Sequence, residues 1–414
     1  MVMLSSCQDD PTPEPMTAAV RDSAGISIVE SVAPRWGGGW EWRLSSQPVV
    51  QLGGGIDGDP NHHFANIRAV RLLQDSVLMV ADAGTYSLSF FDLDGALLQR
   101  SGGEGSGPGE LGGGLMQRVI FCPGDSTFVA GRGRLTVFGP SGVYERTVTM
   151  NLPPGQSAAP GWCTDRHIVA LMQYSRFHTE PGLYRDSTLL GFYSKDGDFV
   201  ETLGPFPYQD RTFSRGVEGV GYHPTPFGRT LAIAATDGRL AMGIGDIFEI
   251  RLHDSIGNLT TVARILEDGQ PLTRTQIDRY RGYVFGDFRG NPTERRNLEA
   301  ELDGSDLPST VPAFAELLFD NTGNLWVRRH DHYDAISFFN YALVPGRREI
   351  STRTMPAEAR TWSVVDSAGT YLGDVATPPG FLVHQIGDDW VLGIWRDQLD
   401  VEHVQLYDLL KPTR

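Results

Sequence analysis

The sequence predicts an all-β fold, a six-bladed β-propeller with four-stranded antiparallel blades. Pairs of short apolar, β-prone runs joined by Asp, Asn or Gly turns recur along the 414 residues, and this pattern is typical of β-hairpins. The 49 glycines are spread along the chain, which indicates many turns between short strands. The last repeated unit lacks one strand, and the N-terminal region can supply it.

Each unit contains a first hairpin, whose turn is centred on an acidic residue or a glycine. The six centres are Asp75, Asp125, Asp165, Asp237, Gly323 and Asp388. A second hairpin follows in the first five units, with a glycine at the end of its turn, where positive φ costs little: Gly95, Gly142, Gly197, Gly257 and Gly369. Two hairpins make one blade, and six units make the propeller.

The sixth unit ends at Arg414 after three strands. The stretch "PVVQLGGGIDGDPNHHF" (48–64) has the same layout as "ALLQRSGGEGSGPGEL" (96–111), an apolar strand followed by a Gly- and Pro-rich loop that leads into a blade. We therefore expect Val49–Gly53 to complete blade six and close the ring, which removes exposed sheet edges.

The glycines at 102–109 do not form a phosphate-binding loop. Within residues 102–109 the spacing fits neither G-x-G-x-x-G nor G-x-x-x-x-G-K-[ST], and a predicted strand ("MQRVIF") follows where such a loop needs a helix. They are predicted to connect blade one to blade two.

The segment "VADAGTYSLSFFDLDGALLQRSGGEGSGPGEL" (80–111) resembles the blade of NHL-repeat proteins, with its V-x-D, F-D-x-x-G and G-x-G-x-G-E-[FL] elements. The resemblance is strongest over 68–111. Together with the N-terminal motif described next, the chain is similar to exported bacterial NHL-like propellers, a largely uncharacterised group. This resemblance implies a binding or scaffold role and supplies no catalytic residues.

The N terminus carries Leu4-Ser5-Ser6-Cys7, which resembles a bacterial lipobox and marks Cys7 for lipidation. Only six residues precede Cys7, fewer than a signal peptide needs. Residues 8–20 are rich in Pro and acidic residues and predict a flexible tether. The expected organisation is a signal remnant and tether over 1–20 and a propeller over 21–414, in an envelope lipoprotein facing the periplasm or exterior. The alternative is a disordered N terminus with a chance cysteine.

The charge argues against two classes of partner. At a net charge of −16, neither nucleic acid nor an anionic membrane surface is expected to bind, because both need a basic surface. No apolar run approaches the ~18 residues of a membrane-spanning helix.

Long connections are predicted at one end of the propeller only, at 172–188, 203–227, 266–313 and 329–361. Short turns at one end and long loops at the other favour a functional face at the long-loop end. Helix signals between 270 and 305 predict two short amphipathic helices with one apolar face each. They are interpreted either as a lid over the central funnel or as helices packed on the blade flanks. The apolar residues are Ile277, Tyr280, Val284, Leu298 and Leu302.

Two weak motifs could hold Ca²⁺ or another divalent metal. Asp57, Asp59 and Asn61 alternate as in the first half of an EF-hand loop, but residue 68 is Arg where that loop needs Glu. His330 and His332 lie two residues apart, near Asp331 and Asp334, and further ligands cannot be located. Ordinary polar loops are the alternative for both.

Cys122 and Cys163 end the inner strands of adjacent blades, so a disulfide is conceivable in an exported protein. Their different offsets from the turn argue against it, and the alternative is two small buried residues.

The function expected from the sequence is a binding scaffold for an unidentified ligand or protein. A metal-dependent lactonase or esterase in the central funnel is the alternative, and it requires a ring of acids on the inner strands. A structural subunit of an envelope assembly is a third. No G-x-S-x-G or H-E-x-x-H motif is present.

Overall fold

The computed structural model of the chain describes residues 17–37, 41–54, 58–112, 114, 116–131, 133–173, 178–216, 219–286, 292–303, 307–331, 334, 358–397, 399 and 401–412. These residues form strands β1 to β28, helices α1 and α2, and a short 3₁₀ turn at Pro60–His62.

Six antiparallel blades form a ring, which confirms the predicted propeller. Blade one contains β5 (Ile67–Leu73), β6 (Val77–Asp82), β7 (Ser87–Phe91) and β8 (Leu97–Gly102). Blade two contains β9 (Arg118–Cys122), β10 (Ser126–Gly131), β11 (Arg134–Phe138) and β12 (Tyr144–Thr149). Blade three contains β13 (Ser157–Cys163), β14 (Ile168–Gln173), β15 (Gly182–Tyr193) and β16 (Phe199–Gly216), with β17 (Gly219–Pro224) at its edge.

The second half of the ring follows the same order. Blade four contains β18 (Ala232–Thr236), β19 (Arg239–Gly243), β20 (Glu249–Asp254) and β21 (Leu259–Ile265). Blade five contains β22 (Phe314–Phe319), β23 (Leu325–Arg329), β24 (Arg360–Val365) and β25 (Tyr371–Thr377). Blade six contains β26 (Phe381–Ile386), β27 (Trp390–Arg396) and β28 (Glu402–Leu410), and β4 (Val50–Leu52) is its fourth strand.

Ring closure takes place where the sequence predicts it. Strand β4 pairs antiparallel with β28, with Gln51 opposite Gln405, and the two amide side chains are hydrogen-bonded at 2.7 Å. The predicted closing strand, Val49–Gly53, contains the observed one.

The core lies between the blades. Six apolar clusters of described residues are each shared by two neighbouring blades, so every junction in the ring is apolar. At the junction of blades one and six, for example, Val80 and Phe91 pack with Leu392, and all three are buried. Burial of such side chains stabilises each junction by about 1.5–3 kcal/mol per residue.

The turns of the second hairpins have the predicted chemistry. In blade four, the amide of Gly257 donates to the carbonyl of Asp254 at 3.1 Å, and Gly257 has φ of +89°. The carboxylate of Asp254 accepts from the amides of Ile256 and Asn258. Asp at the first position and Gly at the last therefore stabilise the turn for separate reasons.

An N-terminal strap, residues 17–37 and 41–52, crosses three blades and was not predicted. Its strands β1 (Ala18–Ser23) and β2 (Ile26–Ser31) form a hairpin, and β2 pairs in parallel with β21 of blade four. Trp36 donates its backbone amide to Leu372 of blade five at 2.7 Å. Strand β3 (Arg43–Leu44) pairs with β28 before β4 closes the ring. Because β1 begins at Ala18, the last three residues assigned to the tether lie in a strand.

The predicted loops at 172–188 and 203–227 are partly strand, which corrects the sequence interpretation. Strands β15 and β16 continue beyond the blade as a paired ribbon, from Gly182 opposite Phe213 to Tyr193 opposite Phe199. Register shifts along this pairing interrupt the regular alternation of side chains. The sequence therefore lacks the regular polar and apolar alternation that would predict this long hairpin.

Both predicted helices are present, α1 (Arg274–Gly286) and α2 (Pro292–Asp303). The capping box at the start of α1 forms as expected: the Gln276 amide donates to Thr273 Oγ1 at 3.3 Å, and Gln276 Oε1 accepts from the Thr273 amide at 2.9 Å. Within the described part of the chain, no helix is both long and apolar enough to cross a membrane.

Candidate functional site

The two ends of the propeller differ in construction. We call the end with the tight hairpin turns the turn end, and the end with the connections between blades and the longer loops the connection end. Each inner strand starts at the connection end and finishes at the turn end, so the first residues of β5, β9 and β13 lie together around the connection-end mouth of the channel.

A cavity of about 530 Å³ lies at the connection end, over blade two. We call it the arginine cavity, because Arg68, Arg118 and Arg134 line it. Arg68 and Arg118 come from the starts of the inner strands β5 and β9, and Arg134 starts β11. The remaining lining residues are uncharged: Gly114, Met116, Gln117, Ala130, Gly131, Gly133, Met150, Leu152, Ala158, Ala159 and Pro160.

The guanidinium groups of these three arginines have no carboxylate partner among the described residues. Arg134 Nη1 donates to the carbonyl of Ser106 at 3.0 Å, while its buried Nε and Nη2 have no acceptor. The side chains of Arg118 and Arg68 are exposed and make no hydrogen bond or ion pair with a described residue. Since arginine is always charged at physiological pH, the cavity is a local positive site in a chain of net charge −16.

The inner part of the arginine cavity is apolar. Met116, Ala130 and Met150 are buried, and Ala158 is half-buried beside them. Small-molecule sites typically combine an apolar wall with a few polar groups that fix the ligand, in volumes of about 300–1,000 Å³. This cavity has that composition and size, and its polar groups are donors.

Two arginines elsewhere at the connection end, Arg185 and Arg229, are paired with carboxylates. Arg185 on the blade-three ribbon binds Asp210 at 2.6 and 3.1 Å and Asp246 at 2.6 and 3.0 Å. The side-chain hydrogen bonds to Asp210 raise the pKa of Arg185. Arg229 Nε lies 3.3 Å from Asp246, and its backbone amide donates to Asp210. This network fastens the ribbon to blade four.

A second paired cluster lies at the base of the long connection in blade five. Buried Arg328 donates to both carboxylate oxygens of Asp334, at 2.9 and 2.7 Å, and to Glu316 at 2.8 Å. Arg360 Nε lies 2.8 Å from Asp331. Burial alone would raise the pKa of Asp334, but the charge of Arg328 outweighs it and holds that pKa well below its usual range. Burial and the adjacent Asp334 raise the pKa of Asp331.

The predicted metal sites stay predictions, because one candidate ligand of each lies outside the described residues. His330 sits beside the Arg328 cluster, where burial lowers its pKa, and His332 lies outside the described residues. Asp57 also lies outside them, while Asp59 Oδ1 caps the 3₁₀ turn by accepting from the Asn61 amide at 2.9 Å. Among the residues that the structure describes, no group of three His, Cys, Asp or Glu side chains is arranged to hold a metal ion.

The lactonase or esterase alternative is not favoured by the inner strands. It requires several acids that converge on the channel axis. Across the six inner strands Glu316 is the one acidic residue, and Arg328 binds it.

The two cysteines considered for a disulfide are joined by one in the structure. Cys122 and Cys163 have a Cα–Cα distance of 5.1 Å and belong to the apolar cluster between blades two and three. In the sequence, the two cysteines lie at different distances from their turns, which suggested that their side chains point to opposite faces of the blades. A register irregularity between Pro160 and Trp162 in β13 breaks the simple alternation on which that argument depended.

The helices of the predicted lid are attached near blades four and five. Tyr280 is buried, and its ring packs edge-on against Phe227 at 5.4 Å. Ile277 is half-buried on the same helix, while the side chains of Val284, Leu298 and Leu302 lie outside the described ones. No described helix residue lines the arginine cavity. The lid therefore stays a prediction. Cys7 also lies outside the described residues.

Sequence reasoning missed Arg68, Arg118 and Arg134. Each starts a strand or follows its first residue, where an arginine is ordinarily solvent-exposed. The one available signal was that all three fall at strand beginnings in neighbouring blades, which the propeller topology brings to one end.

No protein-family model and no curated protein matches the sequence. Among solved structures, a DUF4221-family protein from Bacteroides vulgatus is 10% identical, with 90% of this chain and 99% of that chain covered, and a TM-score of 0.52. An exported protein of Bacteroides fragilis is 11% identical over 93% and 100% of the two chains, with a TM-score of 0.47. Virginiamycin B lyase from Staphylococcus aureus is 10% identical over 89% and 100%, with a TM-score of 0.37.

The chain is a six-bladed β-propeller. At 10% identity, the DUF4221-family structure supports this fold alone. The other two similarities are too low to support an argument about function.

Proposed function

We propose that this propeller is a binding protein that takes a small organic anion with an apolar portion into the arginine cavity. The observation that carries the proposal is the contrast in pairing. Arg185, Arg229 and Arg328 are bound by carboxylates of the chain, whereas the three arginines of the cavity have none.

The anionic group would lie between Arg118 and Arg134. Arginine donors match a carboxylate or phosphate in a bidentate arrangement, and charge-assisted hydrogen bonds are about twice as strong as neutral ones. The buried Nε and Nη2 of Arg134, which have no acceptor in the described structure, would gain one. The apolar part of the ligand would lie along Met116 and Met150.

The test is isothermal titration calorimetry with matched ligands. Octanoate, benzoate and phenyl phosphate carry the charge, while octanol and benzyl alcohol keep the apolar part without it. We expect at least one anion to bind and its neutral counterpart to bind at least tenfold more weakly. In the double variant Arg118→Gln/Arg134→Gln, that anion should lose at least tenfold in affinity, since a hydrogen bond to a charged group contributes about 1.5–3 kcal/mol.

The control is Arg166→Gln, which removes the same charge from an exposed turn-end residue paired with Asp165 at 3.8 Å. Its affinity should equal that of the wild type. Equal binding by the double variant, or no binding by any of the anions, contradicts the proposal.

We propose further that the protein is exported and carries lipid on Cys7. Two observations support this location: the Leu4–Cys7 motif, and the Cys122–Cys163 disulfide, a bond that persists in oxidising compartments. Incorporation of labelled palmitate during expression, and its loss in Cys7→Ser, would support the anchor. Equal labelling of the two proteins contradicts it.

A further inference from the structure

The turn end contains a second cavity, of about 360 Å³, in the central channel. All six inner strands contribute to it, and its lining includes Phe121, Trp162, Leu318 and His384. None of its lining residues lines the arginine cavity, so the two spaces are separate.

Arg71 of blade one projects its charge into this channel cavity without a hydrogen-bonded partner. Its guanidinium carbon lies 4.8 Å from the centre of the Phe121 ring, and its buried Nε has no acceptor. No described carboxylate lies within ion-pair distance of it. Burial lowers the pKa of Arg71, and the more distant Asp125 and Asp237 partly oppose this. Arg71 is half-buried and its Nε has no acceptor, so an anion that enters the cavity would pair with its guanidinium group.

Asp237 provides the opposite charge on the facing side of the same cavity. It lies in the first turn of blade four, and blade four faces blade one across a six-membered ring. Its backbone carbonyl accepts from the Asp165 amide, but its carboxylate makes no hydrogen bond or ion pair with any described residue.

Asp320 also lines the cavity, but its carboxylate is taken up by hydrogen bonds within its own turn. Its carboxylate accepts from the amides of Thr322 and Asn324 and from the Trp326 indole nitrogen. The turn therefore uses the Asp320 carboxylate fully, whereas that of Asp237 stays available.

We infer that the channel cavity binds a zwitterion with an apolar side chain, an amino acid or a short peptide. Its carboxylate pairs with Arg71, its ammonium pairs with Asp237, and its side chain lies along Phe121 and Trp162. A simple anion would meet the uncompensated carboxylate of Asp237, and a simple cation would leave Arg71 unpaired. The inference is independent of the ligand proposed for the arginine cavity.

The experiment is calorimetric titration with L-phenylalanine and the dipeptide Phe-Phe, in which the two charges lie further apart. Their partners are 3-phenylpropionate, which lacks the ammonium, and 2-phenylethylamine, which lacks the carboxylate. We expect one zwitterion to bind and both single-charge analogues to bind at least tenfold more weakly. Arg71→Gln and Asp237→Asn should each weaken the zwitterion at least tenfold. In Asp237→Asn the preference for the zwitterion over 3-phenylpropionate should shrink to less than threefold.

Two controls make the result specific. Asp165→Asn removes an exposed turn acid of blade three that does not line the cavity, and should bind as the wild type does. Arg118→Gln/Arg134→Gln should also leave zwitterion binding unchanged, which separates this inference from the proposed function. Thermal melts check that each variant is folded. If Arg71→Gln does not fold, Arg71→Lys replaces it in the titrations. The inference is overturned if neither zwitterion binds, or if 3-phenylpropionate binds the wild type as tightly as phenylalanine does.

Discussion

Blades two and five both place arginines at the connection end, but the chain treats them differently. In blade five, buried Arg328 is enclosed by Asp334 and Glu316, and Arg360 lies against Asp331. In blade two, Arg118 and Arg134 line a cavity with no acid in its wall. The same residue type at the same end of the fold therefore occurs in two settings: in blade five it holds the base of a loop together, and in blade two we propose that it binds a ligand. Burial and pairing together distinguish them: Arg328 is buried and paired, whereas Arg118 is exposed and has no carboxylate partner among the described residues.

The largest loss in the free energy of unfolding should come from breaking the Arg328 cluster in blade five. Asp334→Ala leaves the guanidinium of Arg328 buried without its main partner, so we expect the free energy of unfolding to fall by about 3–5 kcal/mol. Urea denaturation measures it. As a control, Asp388→Ala removes an exposed carboxylate paired with Lys411 and should cost at most about 1 kcal/mol. A loss below 1 kcal/mol in Asp334→Ala would mean that the cluster is not structural.

A pH effect of intermediate size should come from His384, next to that cluster. Burial lowers the pKa of His384 from 6.5 to about 4, and the charge of Glu316 opposes this shift. Arg328 and Arg360 line a small cavity together with His384. The unfolded chain therefore binds a proton between pH 6.5 and 4 that the folded chain does not, so stability is lost as pH falls through that window. Between pH 7 and 5 the loss should be about 1–2 kcal/mol.

The comparison is between wild type and His384→Asn, each unfolded in urea at pH 7 and pH 5. The variant should lose about 1–2 kcal/mol less than the wild type over this range. His63→Gln, which changes an exposed histidine, should behave as the wild type does. An identical pH dependence in the wild type and His384→Asn would show that His384 does not carry the effect.

The smallest change in the free energy of unfolding should come from substitutions in the arginine cavity. Because the side chains of Arg118 and Arg68 are exposed and bond to no described residue, Arg118→Gln and Arg68→Gln should change the free energy of unfolding by no more than about 0.5 kcal/mol. Equilibrium denaturation at low and high salt tests this. A loss of 2 kcal/mol or more in either variant would assign these arginines to the structural class of Arg328 and remove the basis for a ligand.

The propeller itself could be predicted because its signals are local. The turn at Asp254–Gly257 and the capping box at Thr273 each depend on a few consecutive residues, and both formed as expected. The closing strand was predictable because a repeat with a missing member implies where that member is found.

The strap and the arginine cavity depend on contacts between distant segments, which leave little trace in the sequence. Nothing in "ISIVES" shows that it will pair in parallel with residues 261–265, since an outer edge strand needs no particular pattern. Whether an arginine is paired is also a tertiary fact: "RRHDHYD" and "MQRVIF" do not reveal that Arg328 has carboxylates around it and Arg118 has none.

The strap also sets the order in which the molecule can be completed during synthesis. Gln51 leaves the ribosome early, yet its partner Gln405 lies 354 residues later in the chain. At about 5–20 residues per second, the first strands wait roughly 20–70 s for the last blade. During that time strand β4 lacks its partner, and such an unpaired edge is prone to association with other chains. The nascent chain should therefore depend on chaperones that cover its N-terminal strands until the ring closes.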